Sequence, residues 1–77
     1  MKYCWKRLIS FGRENGKILK IDKYIEAKVF YDPLLREEKR YTAYINNQLL
    51  GRFSFEREAM LKVEEELDRF FKEVKNV

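Results

Sequence analysis

The chain has 77 residues, a formal net charge of +4, 45% apolar and 39% charged side chains, one cysteine and no histidine. A chain this short buries only about 60% of its unfolded surface, which leaves room for one small core and none for a second domain or a deep substrate pocket. One cysteine excludes an internal disulfide and a multi-cysteine zinc site, and the lack of histidine removes the commonest general base.

A single domain over 1–77 is therefore expected, with a core made dense by one Trp, five Tyr and six Phe. Cys4 is expected as a small, buried strand side chain. No apolar run approaches the roughly 20 residues that span a bilayer. The N-terminus also lacks the apolar stretch of a signal peptide, so no membrane partner is expected and the cytoplasm is the expected location. The charge is unevenly spread: residues 1–53 hold twelve Lys and Arg against six Asp and Glu, whereas residues 54–77 hold five against seven. A basic segment followed by an acidic one suits a polyanion docking on the basic side.

From Lys2 to Phe11 the pattern alternates as a strand, with Tyr3, Trp5, Ile9 and Phe11 on one side and Lys2, Lys6 and Ser10 on the other. Gly12 to Gly16, ending in Asn15-Gly16, is a turn signal, after which Lys17 to Ile21 can run back as a short strand. Asp22-Lys23 makes the next turn. Tyr24 to Tyr31 is the longest strand candidate, with Ile25, Ala27, Val29 and Tyr31 on one face and Tyr24, Glu26, Lys28 and Phe30 on the other. Asp32-Pro33 ends it, because proline cannot donate to a ladder, and Leu34 to Lys39 reads as a charged loop. Two further strands flank a two-residue turn at Asn46-Asn47, which predicts the pairs Ile45/Gln48, Tyr44/Leu49, Ala43/Leu50 and Thr42/Gly51.

The C-terminal segment is an amphipathic helix. Met60, Val63, Leu67, Phe70, Phe71 and Val74 fall on one stripe with Ala59 at its edge, and the other side is almost wholly charged. Ser54 stands at the expected N-cap, and Glu56 and Glu58 suit the positive end of the helix. Glu58/Lys62, Glu65/Arg69 and Asp68/Lys72 are possible i,i+4 pairs, each worth a few tenths of a kcal/mol. The expected fold class is α+β: an antiparallel sheet of four to five strands with one long C-terminal α-helix packed across one face.

The run Tyr41-Thr42-Ala43-Tyr44-Ile45, then Leu50-Gly51-Arg52-Phe53, then Glu58-Ala59 resembles the three-stranded-sheet-plus-helix DNA-binding domain of plant ethylene-response factors and of the arm-binding regions of phage-type tyrosine integrases. The segment Tyr24 to Pro33 is similar to the strand and turn of the integrase arm domains. The likeness covers roughly residues 24–75. It implies a sheet laid in the major groove of duplex DNA with the helix behind it. Ala43, Ile45, Leu50, Gly51, Phe53 and Ala59 would then be packing residues, with Tyr44, Asn46 and Leu49 in the DNA-facing places. The plant proteins carry charged residues and a tryptophan there, so this chain departs from the family where bases are read. Lys28, Arg40 and Arg52 are the candidate phosphate contacts, and Tyr44 and Asn46 the candidate base contacts.

No catalytic constellation is visible: Ser54 is accounted for as a cap, Ser10 has no base near it in sequence, and the glycines form no phosphate-cradling loop. Neither enzymatic activity nor a cofactor is expected. The expected function is that of a small DNA-binding protein, a regulator of phage, mobile-element or compact prokaryotic origin. The competing expectation is a protein-interaction module without a nucleic-acid role, either a dimerising subunit or a virus-encoded inhibitor. A non-specific chromatin protein shares the charge pattern. On the sheet face away from the helix, Phe30, Tyr44 and Leu49 are expected to be covered by the Trp5-bearing segment as a minor second core; if that face is open, nucleic-acid contact and self-association both remain.

Overall fold

The computed structural model describes residues 3–75, with side chains described as far as Lys72. Lys2, expected in the first strand, and the side chain of Val74, expected on the apolar stripe, lie outside the described residues. Five strands, β1 (Lys6–Ser10), β2 (Arg13–Lys20), β3 (Glu26–Tyr31), β4 (Tyr41–Ile45) and β5 (Gln48–Phe53), precede one helix, α1 (Glu56–Lys75). The sheet is antiparallel throughout, in the order β1-β2-β3-β4-β5, and α1 lies across β3, β4 and β5, giving the α+β fold. No helix among the described residues is long and apolar enough to cross a membrane.

The first hairpin turns earlier than its sequence suggests. Phe11 and Gly12 both take positive φ, 53° and 75°, as the two centres of a tight hairpin turn. The Asn15-Gly16 signal is used instead in a bulge, where the ladder shifts between Leu8↔Gly16 and Ile9↔Glu14 and Asn15 is the extra residue. Gly16 is obligatory there: at φ 146° a Cβ would stand 1.8 Å from the Val29 carbonyl oxygen. β2 is consequently eight residues long rather than the five expected over Lys17 to Ile21.

Two aspartates close the next connections, as short polar side chains do at turns. Asp22 Oδ1 accepts from the backbone N–H groups of Tyr24 and Ile25 at 2.7 and 2.9 Å, and Asp32 Oδ1 accepts from that of Leu34 at 2.9 Å. The Leu34 to Lys39 loop contains one 3-10 turn at Glu37–Lys39. Asn46 and Asn47, at φ 49° and 68°, turn the last hairpin as expected. Its register follows expectation at Ile45↔Gln48 and Tyr44↔Leu49, then a bulge at Leu50 moves it to Ala43↔Gly51, Thr42↔Arg52 and Tyr41↔Phe53. The predicted pairs Ala43/Leu50 and Thr42/Gly51 are thereby replaced. Tyr41, Ala43, Gly51 and Phe53 now share the helix side, and Gly51 leaves room for the Phe53 ring, which a Cβ would meet at 3.3 Å.

The core lies between the sheet and α1, where Leu19, Ala27, Val29 and Ala43 meet Ala59, Val63 and Leu67. Alanine on both layers permits close approach, and the fully buried Val29 and Val63 each contribute about 1.5–3 kcal/mol. Met60 and Phe71 pack at the edge, whereas Phe70, expected within the stripe, is 49% exposed beside Ile45, Gln48 and Leu50. The helix begins one residue later than expected: the Ala59 N–H donates to the Phe55 carbonyl, so Phe55 occupies the N-cap position assigned to Ser54. The expected helix ion pairs are also replaced. Lys62 Nζ reaches Glu66 at 3.2 Å and Glu65 at 3.8 Å, Arg69 takes Glu66, and Asp68 is engaged by Tyr3. Cys4 is exposed rather than buried, because it sits between two side chains that fold onto the helix.

Candidate nucleic-acid interface

The N-terminal segment decides what the sheet presents to solvent. Tyr3 and Trp5 pack against the core from the helix side, where Tyr3 Oη donates to Asp68 at 2.6 Å and Trp5 Nε1 donates to Glu64 at 2.8 Å. Burial, then the hydrogen bond to Asp68 and the negative charges of Asp68 and Glu64, push the Tyr3 phenol up to about 12. Lys17, also on the helix side, ties β2 to the start of α1 through Glu56 at 3.1 Å. Its hydrogen bond to Glu14 is the main cause of its raised pKa, with burial opposing. These contacts draw the first residues toward α1 and leave the opposite face of the sheet uncovered.

Ladder register orders that open face into rows. One row reads Lys6, Ile18, Lys28, Tyr44 and Leu49 from β1 to β5; the next reads Leu8, Gly16, Phe30, Thr42 and Arg52. Lys20 stands beside Glu26 in a third. Phe30 and Tyr44 meet edge to face, with centroids 5.9 Å apart at 75°. Lys28 Nζ lies 5.9 Å from the Phe30 centroid and 3.3 Å from Glu26 Oε1, and Lys20 Nζ is 4.0 Å from the other Glu26 oxygen. The face thus carries Lys6, Lys20, Lys28 and Arg52 around an aromatic centre, with Glu26 as its acid. The outward side of α1 carries Glu58, Glu65 and Asp68 together with Leu61 and Arg69.

Of the residues singled out from sequence, Lys28, Tyr44, Leu49 and Arg52 come together on this face, and Leu49 is 51% exposed. Asn46 lies at its margin as a turn residue: its Oδ1 accepts from the Glu26 N–H at 2.9 Å and its own N–H donates to the Glu26 carbonyl at 2.8 Å. Arg40 is not brought to the group. Its Nε donates to the Leu35 carbonyl at 3.3 Å and its own carbonyl accepts from Asp32 at 2.7 Å, at the other end of the sheet beside Tyr41 and Phe55. Lys6 and Lys20 were not singled out: Lys6 joins the Lys28 row through the bulged first hairpin, and Lys20 joins the face through the β2–β3 ladder, opposite Glu26. Phe30 was legible from the alternation of Tyr24 to Tyr31.

Five strands abreast span about 19 Å at the usual strand spacing. The major groove is about 12 Å wide, so two or three strands could enter it while the remainder reach flanking phosphates. Comparison with family models, curated proteins and solved structures finds no match to this chain.

Proposed function

We propose that this protein binds duplex DNA with the sheet face opposite α1. Strands β3 to β5 enter the groove with Lys28, Phe30, Tyr44, Leu49 and Arg52, while Lys6 and Lys20 meet phosphates at the rim. The observation that carries the reading is the open, cation-lined face: Tyr3 and Trp5 hold the N-terminal segment on the helix side, where it cannot cover those residues. Arginine and lysine at the rim fix position on the backbone, and Tyr44 with Leu49 offers the contact surface that could discriminate bases. The test is a titration of labelled duplex across salt concentrations. A steep loss of affinity with salt supports the reading, and no binding at low salt removes it.

A second reading, a protein-interaction module that pairs with another chain, draws on a different part of the surface. Phe11, Leu34 and Phe55 are strongly exposed on connections that the antiparallel order places at one end of the sheet. Exposed apolar groups gathered at one end of a small protein mark contact sites more often than scattered ones do. A stable dimer in sedimentation that dissociates on Phe11→Ser together with Leu34→Ser would favour it.

A further inference from the structure

At the end of the open face opposite Phe11 and Phe55, the two turns after β2 and β4 project beyond the strands and enclose a notch. Lys28, Phe30 and Tyr44 form its floor, Lys23 and Tyr24 one wall, and Asn46 and Asn47 the other. The Glu26 N–H to Asn46 Oδ1 bond fixes the two walls relative to each other. Tyr24 is 73% exposed at the tip of its turn, with Lys23 Nζ 5.0 Å from its ring centroid. The ring has no core to fill and presents a free face.

Glu26 is the informative residue. It lines a notch otherwise walled by Lys23 and Lys28, and a carboxylate repels phosphate. Its Oε1 lies 3.3 Å from Lys28 Nζ and its Oε2 4.0 Å from Lys20 Nζ, but a carboxylate keeps acceptor positions beyond two such contacts, so a group seated against it donates hydrogen bonds. Among nucleic-acid parts, the edge of guanine bears two adjacent N–H donors, N1–H and N2–H, matching the two carboxylate oxygens, and that edge is free only when the base is unpaired. Aromatic faces stack any base, and flanking lysines accept the phosphates on either side of it.

We infer that the notch holds one unpaired guanine, stacked on Tyr24 and hydrogen-bonded at its edge by Glu26, within the nucleic-acid complex proposed above, on which this inference rests. The protein accordingly prefers duplex DNA interrupted by an extrahelical guanine to continuous duplex.

The experiment is fluorescence anisotropy with the full chain and three labelled probes: a continuous duplex, the same duplex with one unpaired guanine, and the same with one unpaired thymine. The guanine probe is expected to bind about tenfold or more tighter than the continuous duplex, and tighter than the thymine probe. Tyr24→Leu, at an exposed turn position, should remove the advantage of both interrupted probes and keep the continuous-duplex affinity. Glu26→Gln should tighten binding to all three by removing a negative charge, while equalising guanine and thymine. Equal affinities for the three probes with the wild-type chain, or an undiminished guanine advantage in Tyr24→Leu and Glu26→Gln, would overturn the inference and leave the duplex reading standing. No binding to any probe overturns both.

Discussion

Arg52→Ala tests the proposed face by number as well as by sign. Arg52 is exposed on edge strand β5 opposite Thr42, so truncation leaves the core untouched and circular dichroism should be unchanged. Taking one phosphate contact each for Lys6, Lys20, Lys28 and Arg52, the cations of the proposed duplex contact, gives four. With a slope of about −0.9 per phosphate, the logarithm of the affinity falls with the logarithm of salt at about −3.6, or about 150-fold between 50 and 200 mM. Losing one contact brings the slope to about −2.7 and the loss to about 40-fold. Arg69→Ala on the helix, removing the same charge from the other side, should leave the slope at its wild-type value. Anisotropy titrations at several salt concentrations give all three slopes. An unchanged slope in Arg52→Ala, or an equal drop in Arg69→Ala, would mean that net charge rather than this face governs binding.

The remaining tests address the geometry behind the proposal. Trp5 lies on the helix side, so saturating duplex should leave its fluorescence unchanged; strong quenching would place the nucleic acid on the wrong face. Gly16→Ala sets a Cβ against the Val29 carbonyl and should cost about 3 kcal/mol or more in urea unfolding, from overpacking and a disfavoured φ together. Gly12→Ala, with nothing within 4 Å of its Cβ, should cost only about 1–2 kcal/mol, and equal losses would contradict the bulge geometry. Because the folded-state pKa of Tyr3 is raised from 10.0 to about 12, its contribution to stability is fully present below pH 10 and is lost as pH rises through 12. Wild type should therefore exceed Tyr3→Phe in stability at neutral pH, with the gap closing across that alkaline window; a constant gap would mean that the phenol proton plays no part.

The fold was legible where periodicity is strong and each residue has one plausible place. The Asn46-Asn47 turn and the Ala59, Val63, Leu67 stripe appear as expected, and the strand expected over Tyr24 to Tyr31 forms from Glu26, with Tyr24 and Ile25 left in the turn before it. Bulges were not legible. Leu49 faces out and Leu50 packs at the core, as expected, yet the extra residue at Leu50 moves every pair beyond it, to Ala43↔Gly51 and Thr42↔Arg52. Asn15-Gly16 has turn chemistry, but Phe11-Gly12 closes the hairpin first, and glycine then serves the close approach to Val29. The site divides in the same way. Tyr44, Leu49 and Arg52 lie in the last hairpin and Lys28 on the strand beside it, while the place of Lys6 depends on the bulged first hairpin and that of Lys20 on the β2–β3 ladder. Arg40 is claimed by its own loop, and Asp68 by a tyrosine 65 positions away, which no local pattern announces.

Every strand of the sheet pairs with its neighbour in the chain, so each ladder closes only a short loop, and such nearest-neighbour topologies assemble quickly. The bonds from Tyr3 to Asp68 and from Trp5 to Glu64 reach farther along the chain than any other side-chain hydrogen bond among the described residues, spanning 65 and 59 positions. A clasp of that kind forms after the rest is in place, and its free energy then appears in the rate of opening rather than of assembly. If so, removing those two side chains should speed unfolding and leave the refolding rate nearly unchanged, which stopped-flow measurements on Tyr3→Phe and Trp5→Phe would check.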